Sequence, residues 1–215
     1  FEVKYRGRLG PESADEKSIR ILNRIVTWTE EGILYEADQR HAEIIIKEMG
    51  LTGESKSVVT PGTKDTIEEL QDYDEPMEEQ YITKYRGLAA RGMYLSQDRG
   101  DIAYASKEIS RGMSAPTQGN LRGLKRLARY LVGRERVVLK YEYQEPNKWV
   151  DVWSDTDYAG CQRTRKSTTG GVCMLGRHMI KSWSVTQAVI ALSSGEAEYY
   201  GLVKGASVAL GVRGV

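Results

Sequence analysis

The succession of hydrophobic periods between residues 150 and 213 restricts this chain more than any other feature. Val150 and Val152 alternate with Asp151 and lead through Trp153 to Asp155 and Asp157, the period-two pattern of a strand whose end carboxylates share one side. Val172–Leu175, a turn at Gly176-Arg177-His178 and Met179–Trp183 read as a hairpin. About forty residues after the first acids, Ser193 or Ser194 caps a helix whose first turns carry Glu196 and Glu198. The predicted order is three antiparallel strands followed by a helix, with acid on the first strand and on the helix. Converging carboxylates suit hard divalent cations. A pair of such ions about 4 Å apart can clamp both oxygens of a phosphodiester undergoing displacement. The same residues also have a plainer use, because strand-end Asp forms turns and helix-start Glu answers the macrodipole.

Upstream, Lys17–Trp28 and Ile33–Ala37 are predicted to be two strands joined by Thr29-Glu-Glu-Gly32, after which Asp38 caps a helix that runs to Met49 and stops at Gly50. Asp65–Glu79 holds eight acids and no base, with Pro61 and Gly62 ahead of it and Pro76 within it, and reads as an exposed linker. Asp72-Tyr73-Asp74 lies in that linker without flanking strands and carries no polymerase site. Helices are predicted at about 77–96, 99–112 and 118–132, with Asp101 in a first turn and Gly133 as a stop. In the last of these, Leu121, Leu124, Ala128 and Leu131 form an apolar stripe, while Arg122, Lys125, Arg126 and Arg129 crowd the other side. Seven bases stand against one acid between residues 119 and 140. Such a face can follow a nucleic-acid backbone by counterion release, or can simply be solvated.

The motifs Trp153-Ser-Asp-Thr-Asp-Tyr-Ala-Gly-Cys161, Arg165-Lys-Ser-Thr-Thr-Gly-Gly171, Ser182-Trp183 and Ala191-Leu-Ser-Ser-Gly-Glu-Ala-Glu-Tyr199 closely resemble the ribonuclease H region of copia-type retrotransposon Pol polyproteins. Tyr85–Tyr104, Pro116-Thr117 and Leu127–Leu131 are similar to that family's segment joining polymerase to nuclease. The resemblance covers roughly residues 20–215. It implies an α/β fold of α+β character: a β-hairpin plus helix, a helical connection segment, then an incomplete ribonuclease H-like sheet with one helix. The implied divisions are residues 1–60 from the end of the reverse transcriptase, 61–79 as acidic linker, 80–145 as connection and 146–215 as partial nuclease domain.

The family's nuclease cuts the RNA strand of an RNA–DNA hybrid with two Mg2+ or Mn2+ ions held by four acids. By motif, the resemblance makes Asp155 and Glu198 catalytic residues and metal ligands, with Asp157 and Glu196 in support. Arg122, Lys125, Arg126, Arg129, Arg165 and Lys166 are the implied contacts to the hybrid, where groove shape and 2′-hydroxyls would be read. The third and fourth acids of the family pattern, and its polymerase aspartates, have no counterpart here. The expectation is therefore a fragment of the polyprotein, partnered by the rest of it, that binds cations weakly and cleaves poorly or not at all. A sheet left without its next strand would also be marginally stable. Two further readings are a non-enzymatic nucleic-acid-binding fragment and a decayed transposable-element remnant.

No apolar run approaches a membrane span and no secretory signal is present. The resemblance implies an intracellular chain, in cytoplasm or nucleus. Cys161 and Cys173 have neither the number nor the spacing for a zinc site or disulfide framework. His41 and His178 stand apart, with His41 expected in solvent. Trp153 and Trp183 are expected in the core.

Overall fold

The computed structural model describes residue 5, residues 7–63 and residues 75–214. Its first sheet consists of β1 (Ser18–Ile21), β2 (Arg24–Thr29), β3 (Gly32–Glu36) and β4 (Val138–Glu142), antiparallel and in that order. The single strand predicted for residues 17–28 is instead two strands. The chain reverses at Leu22 and Asn23, whose φ angles of 48° and 63° are those of a type I′ hairpin, and Asn tolerates that conformation well. The predicted hairpin follows, from β2 to β3, and Gly32 closes it at φ +152°. A Cβ on Gly32 would lie 2.1 Å from the carbonyl oxygen of Tyr141, so only glycine lets β4 come this close.

β4 lies in the stretch read from sequence as a continuation of the basic run. Its bases serve the sheet: Arg136 makes a two-pronged bond to Glu36 at 2.9 and 2.8 Å, and Lys140 pairs with Glu31 and Glu142.

The helices are α1 (Arg40–Glu48), α2 (Glu79–Leu95), α3 (Ala103–Arg111) and α4 (Gln118–Leu131). Asp38 does not cap α1. Gln39 takes that position, and the buried Asp38 carboxylate instead accepts from Arg40, at 2.9 and 2.7 Å from its guanidinium. Gly50, at φ +71°, ends the helix as expected. Asp101 sits in a 3₁₀ turn, Gly100–Ile102, ahead of α3. Gly133, at φ +74°, follows α4.

Ala42, Ile45, Leu88, Ile102, Leu124 and Leu127 belong to one buried cluster that draws on all four helices and the turn. Residues 64–74, most of the acidic linker together with Asp72-Tyr73-Asp74, lie outside the described residues. The linker's end is docked, with Met77 4% exposed and its N–H on the Pro116 carbonyl. His41 is not solvated as expected: its ring packs against Tyr94, tilted by 43° at 4.6 Å between centroids, and its side chain is 20% exposed.

The second sheet is the predicted one. β5 (Val150–Asp157), β6 (Thr168–Leu175) and β7 (His178–Thr186) pair antiparallel in that order, and α5 (Ser194–Arg213) lies across β5 and β6. Gly201 and Gly205 make this approach possible. A Cβ on Gly201 would sit 2.7 Å from Thr156 Oγ1, and one on Gly205 would sit 2.9 Å from Val152 Cγ1. Cys173, Trp183 and Val208 form the small core beneath the helix. Trp153 does not join them. It is 68% exposed, because the alternation that turns Val152 and Ser154 toward α5 turns Trp153 away. Among the described residues, no helix is long and apolar enough to cross a membrane.

Candidate functional site

The acids predicted to act together divide between two faces of β5. Val152, Ser154 and Thr156 face α5, and strand alternation sends Asp155 to the other side. There Asp155 and Asp157 border a groove of about 680 Å³, whose far wall is Gly100, Ala103 and Tyr104 and whose floor includes Gly170 and Ser184. Register explains the floor, since Asp155 stands opposite Gly170 and Gly170 opposite Ser184. Asp157 serves the turn that follows. Its carboxylate lies so near Gly160 that a Cβ there would be 1.8 Å from Oδ2.

Glu198 approaches from the helix side. Its Oε1 accepts the Thr156 backbone N–H at 3.2 Å. β5 is an edge strand, and that N–H belongs to the margin left unpaired by β6. Glu198 therefore reaches the residue next to Asp155, but with the strand between the two carboxylates.

Glu196 spends its oxygens on the start of α5. Ser193 Oγ accepts the Glu196 N–H at 3.1 Å, and Glu196 accepts from the Leu192 N–H at 2.7 Å and from the Tyr200 hydroxyl at 2.9 Å. The Leu192 bond, then the Tyr200 bond, hold its carboxyl below the ordinary glutamate range. This is the plainer reading of a helix-start acid. Among the described residues, no group of three or more His, Cys, Asp or Glu side chains converges to hold a metal ion. Asp155 and Glu198 by themselves do not fit a hard cation, which needs six or so oxygen ligands.

The basic residues also separate. On α4, Arg126 Nη2 donates to Thr60 Oγ1 at 2.7 Å and Arg129 Nε to the Lys56 carbonyl at 3.0 Å, so both hold residues 52–63 against the helix. Arg122 is half-buried and engaged, and Lys125 is exposed. Arg165 and Lys166 lie on the loop between β5 and β6. That loop is tied by the Arg165 N–H to the Cys161 carbonyl at 2.7 Å and by the Cys161 N–H to the Lys166 carbonyl at 3.1 Å, with Arg165 at φ +56°. It carries an exposed Arg165 and a half-buried Lys166 after the acids of β5.

Sequence reading missed the wall of the groove. Lys107 Nζ donates to Thr168 Oγ1 at 2.9 Å, and Arg111 Nη2 lies 2.9 Å from Cys161 Sγ, so α3 is fastened to the second sheet. Burial raises the Cys161 thiol, but hydrogen bonds from Thr164 and Arg111 outweigh it and bring the thiol below its ordinary range. Nothing in the local pattern of Ala103–Arg111 marks those contacts, which span fifty residues or more.

Fold and site define a two-sheet α/β protein in which a helix-capped, three-stranded sheet presents strand and helix acids at an open edge. No protein-family model matches the chain, and no solved structure matches it. The Retrovirus-related Pol polyprotein from transposon RE1 of Arabidopsis thaliana is 38% identical over 119 residues, 54% of this chain and 8% of that protein. An uncharacterized mitochondrial protein of the same plant is 37% identical over 119 residues, 55% of this chain and 49% of that protein. Secreted RxLR effector protein 161 of Plasmopara viticola is 35% identical over 104 residues, and the match covers 72% of it. The chain thus spans a small part of the first of these relatives and about half of the second. Over about half of its length the chain is similar to retrovirus-related Pol polyproteins of transposons, consistent with a copia-type Pol polyprotein fragment.

Proposed function

We propose that this chain serves its polyprotein as the connection and ribonuclease H-bearing part, engaging an RNA–DNA hybrid along the open edge of β5. The observation that carries this reading is the Glu198 carboxylate bonded to the backbone of Thr156, one residue from Asp155. A helix glutamate is thereby held one residue along an edge strand from an aspartate on the strand's other face. Arg165, exposed, and Lys166, half-exposed, on the loop that follows β5, are the cations assigned to phosphate. Arg126 and Arg129 contribute less, because the segment 52–63 already occupies them.

Mg2+ or Mn2+ would bind only with carboxylates supplied by other parts of the polyprotein, and would contribute Lewis-acid chemistry at the phosphodiester. Within this chain, Asp155 and Glu198 supply negative charge at the strand edge, and Thr156 orients Glu198. The reading is tested by hybrid binding of the chain and by cleavage in the intact polyprotein. Anisotropy with a labelled hybrid is expected to show affinity that falls as salt rises. Neutralising Arg165 or Lys166 should reduce the log–log slope by about 0.9 for each phosphate that the variant leaves unpaired. In the polyprotein, Asp155→Asn and Glu198→Gln are each expected to bring RNA-strand cleavage to background. Full-rate cleavage by either variant removes that residue from the site, and hybrid binding without any cleavage by the intact polyprotein leaves only a binding role.

A further inference from the structure

We propose that Thr60 is a phosphorylation site whose phosphate is received by Arg126. Residues 52–63 cross α4 without regular secondary structure and are fastened to it by arginines. Arg126 Nη2 holds Thr60 Oγ1 at 2.7 Å, Arg129 Nε holds the Lys56 carbonyl at 3.0 Å, and Arg134 Nη1 reaches the Val58 carbonyl at 3.4 Å. Beyond Thr60, Gly62 rests against Ala105, where an added Cβ would lie 3.2 Å away. Thr60 itself is exposed and is followed by Pro61. A residue before proline is held in extended backbone, the form in which a protein kinase takes its substrate.

Arg126 supplies the second, independent observation. Its Nε is buried and has no hydrogen-bond partner among the described residues. A neutral hydroxyl engages one nitrogen of the planar guanidinium and leaves this one unsatisfied, at an energetic cost. A phosphate on Thr60 would bring further acceptor oxygens to the same fork, with charge to match.

The step is a phosphoryl transfer from a nucleoside triphosphate, catalysed by a proline-directed serine/threonine kinase. Thr60 Oγ forms a new bond to the γ-phosphorus as the bond from that phosphorus to the β,γ-bridging oxygen breaks. The nucleoside diphosphate leaves with the bridging oxygen, and the hydroxyl proton passes to the kinase's base. The product fastens residues 52–63 more tightly onto α4 through an arginine that already holds Thr60.

The test treats the folded chain with a proline-directed kinase and ATP, maps phosphate by mass spectrometry and titrates it by 31P NMR. Phosphate is expected at Thr60, is lost in Thr60→Val and is strongly reduced in Pro61→Ala. Its titration midpoint should lie below that of phosphorylated Arg126→Gln by roughly half a unit or more. Arg126→Lys, which keeps the charge, should retain most of that difference. Absence of phosphate at Thr60, or a midpoint that ignores both Arg126 variants, overturns the proposal.

Discussion

At residue scale, the sharpest constraints are the contacts that admit no other side chain. Gly201 and Gly205 let α5 lie directly on β5. Gly201→Val forces branched carbons against Thr156 and is expected to destabilise the protein by about 1–3 kcal/mol in a denaturant titration. Among the described residues Arg99 is the largest fully buried side chain, paired with Asp101 at 2.7 Å and donating to the Arg134 carbonyl at 2.8 Å. Arg99→Ala strips Asp101 of that partner and should cost about 3 kcal/mol by the same measurement.

His41 gives a pH dependence. Burial, then the nearby Arg91 and Arg40 cations, outweigh the pull of Asp38 and hold its folded pKa below 6.5. Between that folded value and 6.5 the unfolded chain binds more protons, so stability falls as pH drops through this window. Thermal melts at pH 7 and pH 5 should show the loss in the native chain and a smaller one in His41→Gln.

Elements were legible where the physics is local. Helix α4 has a capping box: the Thr117 hydroxyl accepts from the Asn120 N–H, and Asn120 Oδ1 accepts from the Thr117 N–H at 3.0 Å. Thr117→Ala is expected to cost about 1 kcal/mol, read as a shift in denaturation midpoint. A serine cap at Ser193 or Ser194, β5, the β6–β7 hairpin and the glycine stops were read from sequence for the same reason, because each depends on residues a few positions apart, and the structure gives the cap to Ser193. Three things were not. The reversal at Leu22-Asn23 lacks the glycine that usually announces such a turn, and β4 depends on Glu36 and Glu31 a hundred residues away. The basic side of α4 reads as a phosphate track until residues 52–63 are seen lying on it.

At the scale of the whole molecule, the two sheets are joined by α3 and by the segment after β4. Lys107 meets Thr168, Arg111 meets Cys161, Gln144 Nε2 donates to the Leu175 carbonyl at 2.9 Å, and the Tyr141 ring meets His178 edge-on at 5.4 Å. Unfolding is therefore expected as one transition by both fluorescence and circular dichroism. The double variant Lys107→Ala, Gln144→Ala should separate it into two, with the second sheet melting first because its core is the smaller. A single, unshifted transition in that variant would show that the sheets are not coupled through these contacts.

The amino-acid sequence alone determined the resemblance to transposon Pol polyproteins and the order of β5–β7 and α5, since period, caps and motif spacing are properties of neighbouring residues. Only tertiary structure decided that Asp155 and Glu198 come to one step of β5 from opposite faces, and that Glu196, Arg126 and Arg129 are already engaged. Those outcomes depend on which face of a strand a helix covers and on which distant carbonyl a guanidinium reaches. Packing between elements sets both, and no local pattern encodes them.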